Sequence, residues 1–304
     1  MYKLIASDVD GTLIKDSTPD PEIIETIKEL KQKGILFCAA SGRQYHSLKN
    51  TFREVAEEIA YIAENGAHIR YGHENIAVTA MKREDVEGIM QMLRGYYSEC
   101  STIVSTPNGS LIECDDEDFL RMITYGYHNT FKRVKDVLAE QVPIIKVSIF
   151  HKGSIRKLGE STLIPAWQDR VKACMAGDEW VDFMEASVDK GNALKTLMEH
   201  FGIAREETMA FGDNNNDIGM MQAAGRSFAV DTAVEEVKKA AAGIRKRGSA
   251  KRSGRLCLIR YKVFAERVLT KRRGIRIIGN TTGTYYIRRD GRCTNLMMPY
   301  CSAF

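Results

Sequence analysis

Polar side chains suited to a reaction site occur in three short segments, each directly after an apolar run typical of a buried strand. These residues are Asp8 and Asp10, Ser41 and Arg43, and Asp213, Asn216 and Asp217. Ligand sites in an open parallel sheet form at the carboxyl ends of the strands, so we expect the three segments to meet in one crevice. Converging carboxylates repel one another unless a cation lies between them, and oxygen ligands of this kind suit Mg²⁺.

The residue types in these segments favour phosphoryl transfer. Asp8 stands at a strand end, where a carboxylate can attack an electrophile as a covalent nucleophile. Asp10, two residues later, can reach the same substrate as a general acid and base. The hydroxyls of Thr12 and Ser41 and the ammonium of Lys190 would donate hydrogen bonds to a tetrahedral oxyanion. Together these groups predict a phosphoryl-transfer site.

Each segment also has an ordinary structural interpretation when it is taken alone. Two aspartates beside Gly11 are common in solvated turns, because the glycine turns without a Cβ clash. Asn216 can cap the helix that follows it, and Ser41 can do the same for its own helix. A single lysine such as Lys190 is most often solvated. Separate turns would have to imitate one site in the correct order, so we favour the common site.

A strand–helix alternation positions the three segments, and it predicts a parallel sheet with helices on its faces. The predicted strands are Tyr2–Ser7, Ile35–Ala40, Tyr61–Ala63, Thr208–Phe211 and Ser227–Val230. The predicted helices run from Pro21 to a C-cap at Gly34, and over Tyr45–Ala56, Asn192–Phe201, Ile218–Ala224 and Val234–Ala242.

The pattern changes between residues 83 and 187. A helix begins near Arg83, and the turn Pro107-Asn108-Gly109 between two apolar runs is a strong hairpin signal. A strand at Ile144–Phe150 and a second hairpin near Lys172–Glu185 follow. We therefore expect an α+β module inserted into the parallel domain.

Four motifs in this order resemble those of the haloacid dehalogenase-like superfamily. They are Asp8-Val-Asp-Gly-Thr-Leu13, Ala40-Ser-Gly-Arg43, Asp189-Lys-Gly-Asn-Ala-Leu194 and Gly212-Asp-x-x-Asn-Asp217. Asn65-Gly-Ala67 and the long insertion are similar to the Cof-like sugar-phosphatase branch. The resemblance covers residues 1 to about 242 and implies an α/β fold. A Rossmann-like parallel-sheet core is expected at 1–82 and 188–242, with an inserted α+β cap of the C2 type at 83–187.

The resemblance also implies a role for each motif residue. Asp8 would be the nucleophile that forms an aspartyl-phosphate, and its other oxygen would bind Mg²⁺. Asp10 would protonate the leaving group and then activate water, with its backbone carbonyl on the metal. Ser41 would bind the phosphoryl group, Lys190 would neutralise the charge beside Asp8, and Asp213 would be the side-chain metal ligand.

The remaining motif residues would support this centre. Asn216 and Asp217 would order the loop, the metal water and the substrate. Gly11, Thr12 and Gly42 belong to the two turns expected to bind phosphate. Arg43 would either contact the phosphate or only brace its loop.

Charge is divided unevenly along the 304 residues, although the formal net charge is only +4. Residues 1–242 carry 28 Lys and Arg against 38 Asp and Glu, a net charge of −10, whereas residues 243–304 carry 16 against 2, a net charge of +14. We interpret this basic C-terminal tail either as a nucleic-acid-binding arm or as a frame-shifted or disordered end, and favour the frame shift because the family's last core elements are not recognisable there.

The sequence thus predicts a Mg²⁺-dependent phosphoric monoester hydrolase that acts on a small phosphorylated metabolite. A sugar phosphate is the first expectation, and a phosphorylated cofactor such as flavin mononucleotide or pyridoxal phosphate is the second. The alternatives are a phosphomutase of the same superfamily and a nucleic-acid-binding protein that acts through the tail.

Seven scattered cysteines without a Cys-x-x-Cys pair predict reduced thiols rather than disulfides or a zinc site. The amino terminus becomes acidic too early for a signal peptide, and no run reaches the ~18 apolar residues of a membrane span. We therefore expect a cytoplasmic protein that does not bind membranes, and nucleic acid as a partner only if the tail is genuine. Oligomeric state is not indicated.

Overall fold

The computed structural model describes residues 1–14 and 19–241, together with the backbone of three strands between residues 276 and 295. The strands, in chain order, are β1 (Leu4–Asp8), β2 (Leu36–Ala40), β3 (Ala60–Ala63), β4 (His68–Tyr71), β5 (Glu74–Val78), β6 (Ser101–Thr106), β7 (Gly109–Ile112), β8 (Phe131–Arg133), β9 (Lys146–Phe150), β10 (Lys172–Met175), β11 (Trp180–Met184), β12 (Thr208–Gly212), β13 (Arg226–Ala229), β14 (Arg276–Gly279), β15 (Tyr285–Arg289) and β16 (Arg292–Asn295).

The helices alternate with these strands. In chain order they are α1 (Pro21–Gln32), α2 (Tyr45–Thr51), α3 (Arg83–Arg94), α4 (Glu117–Arg121), α5 (Arg156–Leu158), α6 (Ile164–Trp167), α7 (Lys190–Phe201), α8 (Ile218–Ala223) and α9 (Glu235–Ala240). A π-helical stretch at Gly159–Leu163 joins α5 to α6.

The first sheet, which forms the core, has the spatial order β13-β12-β1-β2-β3-β4-β5. Its first five strands in that order run parallel, and β4 and β5 extend it as an antiparallel edge. Asp8 lies level with Ala40, and Ser7 lies level with Phe211, so β1, β2 and β12 end together. The residues that follow these three strands are thereby brought to one edge of the sheet.

Helices cover both faces of the core sheet because its strands are apolar on both sides. On one face, Ile27 of α1 and Leu48 of α2 belong to the same buried cluster as Phe37 and Tyr61. On the other face, α7 and α8 contribute a second cluster, which includes Leu194. Helix α1 begins where the sequence predicts, since Asp20 accepts a hydrogen bond from the Glu22 amide at 3.0 Å and Pro21 follows it.

The second sheet forms the inserted cap, with the order β10-β11-β9-β6-β7-β8. Helix α3 and the α5–α6 stretch pack on one of its faces, where Ile89, Val147, Ile149 and Leu163 are buried in one cluster. The chain leaves the core sheet after Val78 and returns after β11. A parallel-sheet core with an inserted α+β module is therefore confirmed.

Three features differ from the sequence prediction. The β4–β5 edge hairpin was not predicted, because only the first two residues of β4 are buried and the rest of the hairpin, which is partly exposed, shows no clear apolar pattern. Helix α2 ends at Thr51, five residues early, and a 3₁₀ turn at Arg53–Val55 completes the segment. Strands β14, β15 and β16 form an antiparallel sheet within the basic tail, where none of the predicted strands lies.

The other predictions for the basic tail, that it is a nucleic-acid-binding arm or a frame-shifted or disordered end, concern residues that lie outside those described, apart from the backbone of these three strands, and they stay predictions. Within the part of the chain that the structure describes, no helix is long and apolar enough to cross a membrane.

Candidate active site

Asp8 ends β1 with its side chain buried beneath the crevice at the edge of the core sheet. Its Oδ1 accepts a hydrogen bond from the Lys190 ammonium at 2.7 Å, whereas its buried Oδ2 has no hydrogen-bond partner. Burial is the largest influence on this carboxyl and raises its pKa to about 8, although Lys190 acts in the opposite direction. One oxygen is therefore fixed and the other is left open.

Lys190 is the first residue of α7 and is completely buried. Its ammonium donates to Asp8 and to Oδ1 of Asp217, each at 2.7 Å. Burial lowers the pKa of Lys190, but the two carboxylates outweigh that effect and hold the pKa above its usual value. The lysine therefore remains a cation between two acids.

Asp217 and Asp213 shape the loop after β12. Both oxygens of Asp217 are used, since Oδ1 accepts from Lys190 and Oδ2 accepts the backbone N–H groups of Asp213 and Asn214 at 2.9 and 3.1 Å. Asp213 accepts from the Thr12 hydroxyl at 2.9 Å through Oδ1. The side chain of Asp217 thus holds the loop that presents Asp213 to the crevice.

These acids have the arrangement of a cation site. Carboxylate oxygens of Asp8, Asp213 and Asp217 lie within 4.8 Å of one another. Both oxygens of Asp217 already accept hydrogen bonds, so the open oxygen of Asp8 and the carboxylate of Asp213 are the groups most available to a metal. Hard oxygen donors of this kind fit a divalent cation such as Mg²⁺.

Position 11 beside this cluster requires glycine for two reasons, its backbone conformation and its close approach to Asp213. Its φ of +85° lies in the left-handed region, and a Cβ there would lie 2.4 Å from Oδ2 of Asp213. Any side chain at this position would displace the carboxylate available to the metal.

Asp10 and Arg43 form a second polar group at the mouth of the crevice. Arg43 donates from Nε to Oδ2 of Asp10 at 2.9 Å and from Nη2 to Oδ1, while the Ser41 hydroxyl donates to Oδ2 at 3.3 Å. The backbone N–H of Arg43 also donates to the Ser41 hydroxyl. The Asp10 side chain is half exposed, so a substrate can reach it.

Asn65, whose role could not be read from its motif, connects separate loops of the site. It follows β3 with a left-handed φ of +56°, and its backbone N–H donates to the Ser41 carbonyl at 3.0 Å. Its side-chain oxygen accepts from Asn216 at 2.9 Å. A Cβ on Gly42 would lie 3.2 Å from the Asn65 amide nitrogen. Its position after the third parallel strand is the signal that could have identified it.

The predicted site residues therefore fall into two hydrogen-bonded groups along one edge of the sheet. One group runs from Asp8 through Lys190, Asp217 and Asp213 to Thr12. The other joins Asp10, Ser41 and Arg43. Asn65 links this second group to Asn216, since its backbone N–H donates to the Ser41 carbonyl and its side-chain oxygen accepts from Asn216. The metal role predicted for the Asp10 backbone carbonyl, like the other residue roles, stays a prediction.

Residues of the cap also reach this edge and were not identified from the sequence. The Gln44 side chain, which follows Arg43, donates to the hydroxyl of Ser105 at 3.0 Å and exchanges hydrogen bonds with that of Ser110. Both serines lie on cap strands, so the cap packs directly against the loop after β2.

A family model described as haloacid dehalogenase-like hydrolase matches residues 5–249. Among curated proteins, the chain is 29% identical over 259 residues to the 5-amino-6-(5-phospho-D-ribitylamino)uracil phosphatase YbjI of Escherichia coli, a match that covers 84% of this chain and 94% of that protein.

Solved structures show the same fold. A crystal structure from Eubacterium rectale superposes with a TM-score of 0.76 at 32% identity and covers 86% of this chain and 99% of its own. A HAD subclass IIB sugar phosphatase superposes with a TM-score of 0.66 at 25% identity, covering 80% of this chain and 93% of its own.

Proposed function

Because the chain belongs to the haloacid dehalogenase-like hydrolases, in their Cof-like branch, we propose that it is a Mg²⁺-dependent phosphatase of small phosphorylated metabolites that works through an aspartyl-phosphate on Asp8. The observation that carries this proposal is the asymmetric environment of Asp8. Lys190 fixes one of its oxygens, and the other has no hydrogen-bond partner although it is buried.

In the first half-reaction, a carboxylate oxygen of Asp8 attacks the phosphorus of the substrate. The bond between phosphorus and the leaving oxygen breaks as the new P–O bond to Asp8 forms. Asp10 donates a proton to the leaving oxygen, which departs as an alcohol. Lys190 stays beside Asp8 and offsets negative charge as the phosphoryl group approaches.

In the second half-reaction, Asp10 accepts a proton from water while the water oxygen attacks phosphorus. The bond between Asp8 and phosphorus breaks, which releases inorganic phosphate and restores the Asp8 carboxylate. Ser41 and Arg43 hold Asp10 before substrate binds. A bound phosphoryl group offers these donors another anionic acceptor, so it frees Asp10 for proton transfer.

Asp8 and Asp213 would hold the Mg²⁺ ion with their side chains, and Asp10 with its backbone carbonyl. When bound, the ion supplies positive charge that offsets these carboxylates and the phosphoryl oxygens. Asn216 and Asp217 keep the Asp213 loop in place, and Gly11, Thr12 and Gly42 provide the turns that face the phosphate.

The substrate class that we propose is a sugar phosphate. Support comes from the names of two proteins similar to this chain: YbjI is a phosphatase of a phosphoribityl compound, and the subclass IIB neighbour is a sugar phosphatase. The free thiols among the described cysteines agree with a reducing compartment, so we propose that the enzyme works in the cytoplasm.

A phosphate-release screen over a panel of sugar phosphates and phosphorylated cofactors, with and without Mg²⁺, tests the proposal. We expect phosphate release without any bisphosphate activator, which a phosphomutase would need. Asp8→Asn should abolish turnover. Asp85→Asn is the matched control, because Asp85 is also a buried carboxylate but pairs with Arg170 within the cap. Equal turnover by Asp8→Asn and the wild type would contradict the mechanism.

A further inference from the structure

The cap sheet presents buried polar side chains toward the core at alternate positions of its strands. We call this set the cap polar face, and it consists of Ser105, Ser110, Lys146, Ser148 and Asp182. The intervening residues of β9, Val147 and Ile149, point to the apolar cluster on the other side of the sheet. The part of the cap sheet that packs against the core is therefore polar, although its side chains are buried.

Lys146 is the one cation of this face, and its ammonium has three partners. It pairs with the carboxylates of Glu64 at 2.5 Å and Asp182 at 3.3 Å, and it donates to the backbone carbonyl of Gly42 at 3.3 Å. Asp182 is fixed in turn by the Ser148 hydroxyl at 2.7 Å. Two of the three partners of Lys146 belong to the core, so this cap residue joins the two domains.

Glu64 connects this ion pair to the loop formed by residues 41–43. Its backbone N–H donates to the Arg43 carbonyl at 2.9 Å, and the N–H of Asn65 donates to the Ser41 carbonyl. Glu64 is only 1% exposed and has a left-handed φ of +50°. The backbone of Glu64 is therefore hydrogen-bonded to the 41–43 loop, while its carboxylate forms an ion pair with Lys146.

Burying three charged groups at a domain interface is costly, and apolar residues of similar volume often serve stability as well or better. The position of Lys146 therefore calls for a use beyond packing. If the cap moved away, the Gly42 carbonyl would lose this donor and the Glu64 carboxylate would lose its counter-ion. The first loss falls on the 41–43 loop itself, and the second falls on Glu64, whose backbone N–H donates to that loop.

We propose that Lys146 is a positioning residue that couples closure of the cap to the geometry of the 41–43 loop, through its contacts with Glu64 and the Gly42 carbonyl. The consequence for catalysis rests on the proposed phosphatase function, in which Ser41 and Arg43 bind the phosphoryl group. With the cap closed, Lys146 holds the loop in its binding geometry. With the cap open, the loop is free to relax.

Hydrogen exchange at single amides tests this coupling without relying on activity. In Lys146→Met, we expect the amides of Ser41, Arg43, Glu64 and Asn65 to exchange about 10-fold faster, while amides within β1 and β12 keep their wild-type rates. Glu64→Gln removes the same ion pair from the core side and should give the same pattern. It also provides the test if Lys146→Met does not fold. Asp85→Asn should leave the exchange of the 41–43 loop unchanged.

Steady-state kinetics with p-nitrophenyl phosphate and Mg²⁺ supply the second measurement. Because displacement of a site by about 1 Å can cost up to about 10²-fold, we expect Lys146→Met and Glu64→Gln each to lower kcat by about 10-fold or more, with KM changed by less than about 3-fold. The double variant should lose no more than the worse single variant, since both act through one contact.

The outcomes separate this inference from the proposed function. Loop amides that exchange at wild-type rates in both single variants would overturn the coupling. Faster exchange that is confined to the loop supports it, even if the wild type releases no phosphate from any substrate. A wild type that releases no phosphate would count against the proposed phosphatase function and would leave the coupling standing.

Discussion

The two sides of the crevice carry their polar residues in different ways. On the core side, the side chains follow strands β1, β2 and β12 in short contiguous motifs, such as Asp8 to Thr12. On the cap side, single polar residues alternate with apolar ones along β6, β9 and β11, as Lys146 and Ser148 do. The core therefore concentrates its chemistry in loops, whereas the cap distributes it along one face of a sheet.

This difference follows from how each side is built. A parallel sheet needs both faces for packing, so only its strand ends are free to carry reactive groups. The cap sheet is covered by helices α3, α5 and α6 on one face. On the other face, α4 covers the part that includes Ile103 and Phe150, and the remaining part meets the core. We expect the largest losses of activity from damage to the core side, and smaller losses from damage to the cap side.

The largest effect should come from Lys190→Met, which removes the buried cation on the core side. Asp8 and Asp217 would be left buried without their counter-ion, so we expect the free energy of unfolding to fall by about 3–5 kcal/mol and turnover to be lost. Urea unfolding measures the first quantity. Lys195→Met on the exposed side of the same helix should stay within about 0.5 kcal/mol of the wild type. Similar unfolding curves for both variants would show that Lys190 does not balance these acids.

Gly11→Ala should have the next largest effect. The new Cβ would collide with Oδ2 of Asp213, so we expect kcat/KM to fall by about 10²-fold or more. Gly34→Ala is a matched control, because Gly34 also has a positive φ, of +70°, but a Cβ there would meet nothing within 4 Å. Both variants should lose stability because of their positive φ, and Gly11→Ala should lose more because of the collision. An equal loss of activity in the two would mean that backbone strain, and not the carboxylate, is responsible.

Two variants of Asn65 separate the effect of its side chain from the effect of its backbone conformation in the same manner. Asn65→Gly keeps the left-handed conformation but deletes the acceptor of the Asn216 hydrogen bond, and we expect about a 10-fold loss in kcat/KM. Asn65→Ala should show that loss and a further destabilisation of about 1 kcal/mol from its positive φ. Full activity in Asn65→Gly would show that the Asn65 side chain has no part in catalysis.

The smallest effect should come from Gln44→Ala at the contact with the cap. This variant loses the hydrogen bonds to Ser105 and Ser110, so we expect KM to rise by about 2- to 5-fold with kcat nearly unchanged. Gln168→Ala, an exposed position of the cap, should leave both constants unchanged. A collapse of kcat in Gln44→Ala would contradict the graded difference between the two sides.

The same difference explains what the sequence could predict. The sequence allowed prediction of the parallel core, its helices and the convergence of Asp8, Ser41 and Asp213. Each of these residues lies in a contiguous motif directly after an apolar run, so its type and its position at a strand end are both visible in the sequence. The hairpins of the cap were accessible as well, through turns such as Pro107-Asn108-Gly109.

The cap side of the site could not be predicted in the same way. Lys146 and Asp182 are far apart in the chain, and each is a single polar residue in an apolar strand. Their partnership depends on strand order, in which β11 lies beside β9. Only the alternation in Lys146-Val147-Ser148 signals a polar face, and it does not indicate what that face meets. The contact with Glu64 arises from how the two sheets pack together.

The central claim is that the phosphoryl group passes through Asp8, and the stereochemistry at phosphorus tests it most directly. A phosphorothioate ester made chiral at phosphorus with two oxygen isotopes is hydrolysed in water that carries the third, and the configuration of the released inorganic thiophosphate is determined. Two successive in-line displacements, first by Asp8 and then by water, predict net retention of configuration. Net inversion would mean that water attacks the substrate directly, and it would contradict the account.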